Sequence, residues 1–478
     1  MLEPVLVNVT DKVSVDAPLT LYMALRERRY PYLLESVEKS GNRARFSFVG
    51  ADPSALVTIK NRQLKMEFFN GGIEEASERL KGCVSLQSEG MVLSGQIKKG
   101  FDIFDALRAA IPCRRCSDGN GFGRQVFLGG GIGYLAYDLV LDRLERSSAS
   151  PTPDAEFAIM ESTFIFDHLL KKVYFALAPI FPGPKTDLIE TVEGIDPVAS
   201  DDDRLEGQLL ASGDGETFQR AVERSKEHIR DGNIFQVVLA RSARARCTNP
   251  VALYRRLRKI NPSPYTYLFE FGDLYIVGAS PETLFSCYGG KLKVNPIAGT
   301  CPRGKTPEED ASLAKAMLAD EKERAEHIML VDLGRNDVRA VCRSGTVLVE
   351  DFMSVLKYSH VQHIETTVCG ELREECDQFD AARAVFPAGT LSGAPKLRAI
   401  EIIDDLESEP RGIYGGGIGY FSVEGSADFA IAIRSIVLQQ GVALVQAGAG
   451  IVADSDPRRE LLETERKMGA MKRALGVD

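Results

Sequence analysis

The chain has 478 residues, enough for roughly two to three domains of ordinary size. Its 58 Lys and Arg against 68 Asp and Glu leave a formal charge of −10, which argues against nucleic acid or an anionic membrane as the main partner. Any anionic small molecule must be met by a local positive field, from a few cations or a metal ion.

Met1-Leu2-Glu3-Pro4 lacks the basic and apolar stretches of a signal peptide, and no run approaches the ~18 apolar residues of a membrane span. The nine cysteines are scattered and odd in number, so reduced thiols in a cytoplasmic protein are expected. Cys113-Arg-Arg-Cys116 reads as incidental thiols in a loop in preference to a zinc or redox pair.

In chain order, residues 1–180 read as a strand-rich unit, with runs such as Ala55–Ile59 and Lys172–Leu177 between Gly, Asn and Pro turns. Residues 181–216 carry Pro182-Gly-Pro184 and Asp201-Asp-Asp203 and are expected to be a surface linker. Residues 217–475 mix strands with signalled helices. Thr306-Pro-Glu-Glu309 opens one, and Asp456-Pro457 opens the last, which should run to about Ala474. The mixture predicts an α+β fold.

The hexapeptide Gly-Gly-Gly-Ile-Gly-Tyr occurs at 129–134 and again at 415–420. A dinucleotide loop on Gly131, Gly133 and Ala136 is a poor reading, because neither copy sits in a strand–turn–helix unit. Glycines where backbones pack closely fit better, and the duplication is open to marking two similarly built sheets.

Two carboxylate pairs have helical spacing. Glu323 and Glu326 share a face, with an apolar continuation that predicts a buried C-terminal half. Glu460 and Glu463 share another, one turn before Lys467. Four oxygen donors suit magnesium, while each pair alone reads better as a solvated helix face, with Glu463–Lys467 as an ordinary ion pair. In Asp428–Arg434 strict alternation puts Phe429, Ile431 and Ile433 on one face and Ala430, Ala432 and Arg434 on the other. A guanidinium beside alanines has room for a carboxylate ligand; an exposed sheet face would look the same.

Pro296-Ile-Ala-Gly-Thr300, Arg324–Asp337, Phe386–Lys396 and Ala447–Pro457 resemble, in order, the signature blocks of the chorismate-utilising enzymes. The N-terminal part resembles the accessory domain of the anthranilate- and aminodeoxychorismate-forming members. The resemblance implies two large antiparallel β-sheets packed as a sandwich with flanking helices, the active site between the sheets, and a chorismate-binding catalytic domain over 217–475.

It also implies roles. Glu326 and Glu463 would bind Mg2+ directly, with Glu323 and Glu460 supporting through water. Tyr414, Arg434 and the backbone around Gly448 and Gly450 would hold the enolpyruvyl carboxylate, with Thr300 and Lys467 as further carboxylate contacts. Glu282 matches the general acid that protonates the departing C4 hydroxyl, a leaving group that needs one. His363 matches a histidine over the ring, assigned to pyruvate elimination.

Two positions point to the anthranilate-forming branch. Gln236 stands where the isochorismate-forming members carry a water-activating lysine, and an amide is no base. Ala298 stands where aminodeoxychorismate-forming members carry a lysine nucleophile, and cannot form an adduct. Ammonia is then the nucleophile. No Gly-x-Cys-x-Gly amidotransferase block is present, so a separate glutamine amidotransferase subunit is the expected ammonia donor. Leu34, Glu35, Ser36, Arg45, Ser47 and Asn261-Pro262-Ser263-Pro-Tyr265 resemble a feedback site for tryptophan, although Asn-Pro-Ser-Pro alone reads as a turn. Cys301 and Thr266 depart from the commonest pattern. The aminodeoxychorismate-forming branch and a non-catalytic tryptophan-sensing protein are the rival readings.

Overall fold

The computed structural model describes residues 3–37, 45–113, 121–182, 188–189, 205, 207–358 and 361–477. The fold is α+β, built on two antiparallel sheets of 12 and 13 strands. The first sheet runs from the edge strand Val5–Asn8 through Phe46–Gly50, Tyr32–Glu35, Tyr265–Phe271 and Leu274–Ser280 to Val442–Ile451 and Gln236–Arg246. The second runs from Ile297–Pro302 through Val361–Glu371, Thr283–Tyr288, Ala427–Ile431, Gly417–Ser422 and Gly130–Leu135 to Val84–Glu89.

Alternation along these strands gives each sheet an apolar inner face. The two faces meet through large side chains: Phe48 and Tyr420 pack edge to face at 5.6 Å, and Tyr134 and Phe271 at 5.8 Å. Fully burying a side chain of this size contributes about 1.5–3 kcal/mol, so this aromatic layer fixes how the sheets sit. Both sheets draw strands from either side of the expected linker. Tyr32–Glu35 pairs with Tyr265–Phe271, and Gly130–Leu135 with Gly417–Ser422.

That second pairing explains the repeated hexapeptide. Its two copies lie antiparallel beside each other in one sheet, with Gly133 opposite Gly419. A Cβ on Gly133 would meet the Glu156 carbonyl oxygen at 2.0 Å, and one on Gly419 the Asp428 carbonyl oxygen at 2.0 Å. Close backbone approach therefore requires both glycines. The repeat marks neighbouring strands, not two similarly built sheets.

Most of the linker stretch lies outside the described residues, including Gly183, Pro184 and Asp201–Asp203, and so does Cys116. Within that stretch, Gln208–Ser212 is an edge strand on Gln236–Arg246 with all five residues exposed. It has no apolar alternation because neither of its faces is buried, and it is held by main-chain pairing and one bond from Arg241 to the Ser212 hydroxyl, so the sequence pattern could not reveal it.

The signalled helices form where expected. Thr306 Oγ1 accepts from the Glu309 amide at 3.2 Å and caps Pro307–Ala319; Asp456 caps Pro457–Leu475. Asp320 caps Glu321–Arg339, which buries one stripe, His327, Leu330, Val331, Gly334 and Val338, and not its whole C-terminal half. Ile328 remains 42% exposed. The apolar residues there outnumber the places the sheet offers them. Among the described residues no helix is long and apolar enough to cross a membrane.

Candidate active site

Strand ends from both sheets and the first turns of two helices converge on one cleft. Glu282 lies on a two-residue crossing, between Leu274–Ser280 of the first sheet and Thr283–Tyr288 of the second. It is buried, and the Thr390 hydroxyl donates to its Oε1 at 2.8 Å. Burial pushes its carboxyl up to about 8; the Thr390 bond and Lys467 only partly oppose this, and Glu365 adds to it. Near neutral pH it is a protonated acid in a dry site, ready to donate.

His363 sits on Val361–Glu371, opposite a bulge in Ile297–Pro302. There Ala298 pairs with Ile364 and Cys301 with Gln362, leaving Gly299 and Thr300 across from one residue. Gly299 takes φ +66°, the left-handed conformation this bulge demands, and its carbonyl faces the His363 Nδ1 at 2.8 Å. A carbonyl only accepts, so Nδ1 carries the proton and Nε2 keeps its lone pair. Burial lowers the imidazole's pKa, and Arg434 and Lys467 add to that while Gly299 and Glu365 oppose it, so the ring is neutral. Thr300 is exposed, its hydroxyl 3.1 Å from the same Nδ1. Ala298 is buried in the adjoining strand.

Gln236 begins the strand Gln236–Arg246 and is buried. Its Nε2 donates to Glu326 Oε1 at 2.9 Å, and because a carboxylate only accepts, the amide orientation is fixed. Gln236 Oε1 is buried with no hydrogen-bond partner among the described residues. A Cβ on Gly450 would come within 2.6 Å of Gln236 Nε2, so a larger residue on the neighbouring strand would displace that amide from Glu326.

The four glutamates come from two helices. Burial, Glu326, Asp320 and the Glu463 of the other helix all raise the Glu323 carboxyl; burial and Glu463 raise that of Glu460, partly offset by Ser455 and nearby lysines. Carboxylates on two helices that raise one another's pKa are a donor set whose repulsion a hard divalent cation would relieve. Among the described residues, no three acidic, histidine or cysteine side chains converge on one ligation point. Glu326 is engaged by Gln236, and Glu463 pairs with Lys467 at 2.7 Å. Lys467 Nζ also donates to the Gly448 carbonyl at 2.9 Å.

Tyr414 is buried and hydrogen-bonded to the Gly448 backbone. Arg434 departs from the alternation expected of it. The strand stops at Ile431, and Arg434 lies beyond it at φ +51°. Its guanidinium's pKa is lowered by burial, which the Tyr414 ring partly opposes, and no acceptor among the described residues is hydrogen-bonded to it. That leaves a planar cation open to a carboxylate.

The family model for chorismate binding enzymes matches residues 98–473. Anthranilate synthase component 1 of Haloferax volcanii is 46% identical over 96% of this chain and 91% of its own length; that of Thermococcus kodakarensis is 44% identical over 96% and 97%. The crystal structure of anthranilate synthase component I from Streptococcus pneumoniae superposes with a TM-score of 0.73 at 34% identity, covering 91% of this chain and 94% of that one. The chain belongs to the chorismate-binding enzymes, in their anthranilate synthase component 1 group. The menaquinone-specific isochorismate synthase of Escherichia coli, at 18% identity and a TM-score of 0.70, shares the fold.

Within this family fold a separate cavity of about 550 Å³ opens between the sheets. Of the expected effector residues, Leu34, Glu35, Ser36 and Tyr265 line it. Ser36 Oγ is buried with no hydrogen-bond partner among the described residues. The Glu35 carboxylate turns to Tyr254 and Arg258. Arg45 is held by Asp167 at 2.8 Å, and Ser47 Oγ by His168 at 2.7 Å. Asn261 Nδ2 and Ser263 Oγ both donate to the Ala279 carbonyl, at 3.0 and 3.1 Å, so the Asn261–Pro262–Ser263 turn shapes the wall from behind. Sequence reasoning missed Arg124, Tyr420 and Asp428, which line the cavity, and Thr390, which orients Glu282. Thr390 lies inside a recognised block; Arg124 and Asp428 carry no local signal.

Proposed function

We propose that this chain is the synthase subunit of an anthranilate synthase. It converts chorismate and ammonia to anthranilate and pyruvate in the cytoplasm, in tryptophan biosynthesis, with magnesium bound and tryptophan as feedback inhibitor. The observation that carries the reading is Glu282: a buried carboxyl held up at about 8, oriented by Thr390 and, like His363, within electrostatic reach of Lys467. Chorismate can lose its C4 hydroxyl only as water, and this acid supplies the proton.

Arg434 and Tyr414 take the enolpyruvyl carboxylate, with Thr300, Lys467 and the Gly448–Gly450 backbone beside it. Ammonia, delivered by a glutamine amidotransferase subunit, attacks C2. Gln236 Oε1, which has no partner among the described residues, accepts one of its N–H groups, which leaves the nitrogen lone pair for the ring. The amide cannot deprotonate water, and Ala298 offers no nucleophile. His363 Nε2 then takes the C2 proton as the C3–O bond breaks and the ring becomes aromatic, and the departing enolate takes a proton at its methylene carbon to leave as pyruvate. Glu326 and Glu463 hold the magnesium, with Glu323 and Glu460 behind them; when bound, the ion anchors the ring carboxylate by its charge.

The test is anthranilate fluorescence with chorismate, magnesium and ammonium, followed by chromatography. Anthranilate is expected with ammonium and almost no isochorismate without it. Isochorismate or salicylate as the main product, or aminodeoxychorismate, would replace this reading by another branch.

A further inference from the structure

Tyr358 ties the two proton-handling residues together. It is buried, and its hydroxyl donates to the Pro281 carbonyl at 2.6 Å, one residue before Glu282. Its ring meets that of His363 edge to face, with centroids 5.7 Å apart and planes at 68°. The tyrosine is itself fixed at both main-chain atoms. Its N–H donates to the Val361 carbonyl at 2.8 Å, and its carbonyl accepts from Arg303 at 2.6 Å. Arg303 is clamped in turn on Asp310 at 2.8 Å, which also takes Lys357 at 2.8 Å.

The position of this bond matters because of what it grips. Pro281 and Glu282 are the whole connection between a strand of one sheet and a strand of the other. Proline has no N–H, so on its first residue the crossing offers only a carbonyl for anchorage. Glu282 N–H leans on Ser280 Oγ at a long 3.4 Å, and its carbonyl accepts from Ile431 at 3.0 Å. The Tyr358 hydroxyl is thus the short anchor of a two-residue bridge that carries the acid.

We propose that Tyr358 is a positioning residue that sets Glu282 and His363 relative to one another. The inference rests on the functional reading above for the identity of the proton-transfer pair. A misplacement of catalytic groups by a fraction of a bond length lowers turnover without weakening substrate binding.

Tyr358→Phe removes the hydroxyl and keeps the ring; Tyr358→Leu removes both. Chorismate consumption is followed by its absorbance, whatever the product. For Tyr358→Phe, kcat is expected to fall about five- to tenfold, the effect of one hydrogen bond, with KM within about twofold. The alkaline limb of kcat/KM should move to lower pH. A looser crossing admits water to Glu282 and weakens the burial that, with Glu365, raises its carboxyl against the pull of Thr390 and Lys467; Asp337 faces it across the small adjoining cavity. The chain has five histidines, so the His363 Hε1 resonance is assignable by comparison with His363→Gln. It should shift in Tyr358→Leu and stay in place in Tyr358→Phe. Wild-type kcat with an unmoved limb in Tyr358→Phe would overturn the proposal, as would an unmoved His363 resonance in Tyr358→Leu. If the wild type consumes no chorismate, the functional reading fails instead, and the resonance still tests the contact in the free protein.

Discussion

The floor and the rim of the cleft are built differently. On the floor, Glu282, His363 and Gln236 are neutral at pH 7 and each is oriented by a short bond, to Thr390, Gly299 and Glu326. At the rim the groups are charged and their pairings are provisional. Glu463 is neutralised by the lysine one turn away, Lys467 is shared with a carbonyl, and the Arg434 guanidinium has no acceptor among the described residues. Neutral groups can be buried and pre-set at modest cost, whereas buried charges need a partner. The protein therefore fixes the proton chemistry in advance and leaves the electrostatic binding to be completed by ligand and ion.

If that contrast holds, mutations on the floor should damage turnover and those at the rim should damage binding. The largest loss is expected from Glu282→Gln, which keeps shape and the Thr390 contact but cannot donate a proton at the right acidity. Its kcat should fall by about 10²–10⁴, with chorismate binding and thermal stability kept near wild type. Stopped-flow or initial-rate kinetics beside a melting curve measures this; retention of even a tenth of the activity would move the acid elsewhere.

At the rim, Glu326→Gln and Glu463→Gln should abolish turnover at ordinary magnesium and recover part of it at high magnesium. Glu323→Gln and Glu460→Gln should lose about tenfold to a hundredfold in magnesium affinity. Titration by calorimetry reads the metal directly. Equal losses in all four with lowered melting temperatures would make these charges structural, and the floor–rim contrast would collapse.

The pH profile sharpens the same contrast. Glu282 must be protonated to act, so kcat/KM should fall as pH rises through about 8, where that carboxyl ionises. The linked stability has the same direction. The folded pKa lies above the usual value of 4.5, so the neutral form favours the fold, and this contribution fades as pH climbs from 4.5 to about 8. Glu282→Gln removes the titration and should flatten that part of the stability curve, seen by chemical denaturation at several pH values. A wild-type limb unmoved from the mutant's would mean that the carboxyl is already ionised.

How much of this was readable beforehand depended on whether the signal is local. Helix caps at Thr306 and Asp456 are written in four adjacent residues, and they formed as expected. Local spacing singled out the four glutamates and Arg434, and the family resemblance added Glu282, His363 and Gln236 and gave all of them roles, although they lie up to 227 residues apart, from Gln236 to Glu463. Arg434 shows where periodicity misleads: alternation continues on paper past Ile431, but the chain turns left-handed at the arginine. Gln208–Ser212 and the cavity residues Arg124 and Asp428 were illegible because only long-range pairing gives them meaning.

The smallest effect expected lies outside the cleft, in the 550 Å³ cavity, and it separates binding from catalysis altogether. Ser36 Oγ is buried there without a hydrogen-bond partner among the described residues, an arrangement that costs stability until something supplies one. Tryptophan, as the proposed feedback inhibitor, would bring an ammonium, a carboxylate and an indole N–H, any of which can bond a hydroxyl. Ser36→Ala removes that bond and nothing the fold uses. The free protein should melt at the same temperature or slightly higher, since an unpartnered polar atom has been taken out of the interior. Uninhibited kcat and KM should stay at wild-type values, because Ser36 touches neither Glu282 nor the rim. The tryptophan inhibition curve should shift several-fold to higher concentration, about 1 kcal/mol. An unshifted curve would put the feedback site somewhere other than this cavity, and lowered activity without tryptophan would mean that the cavity wall and the catalytic floor are one mechanical unit.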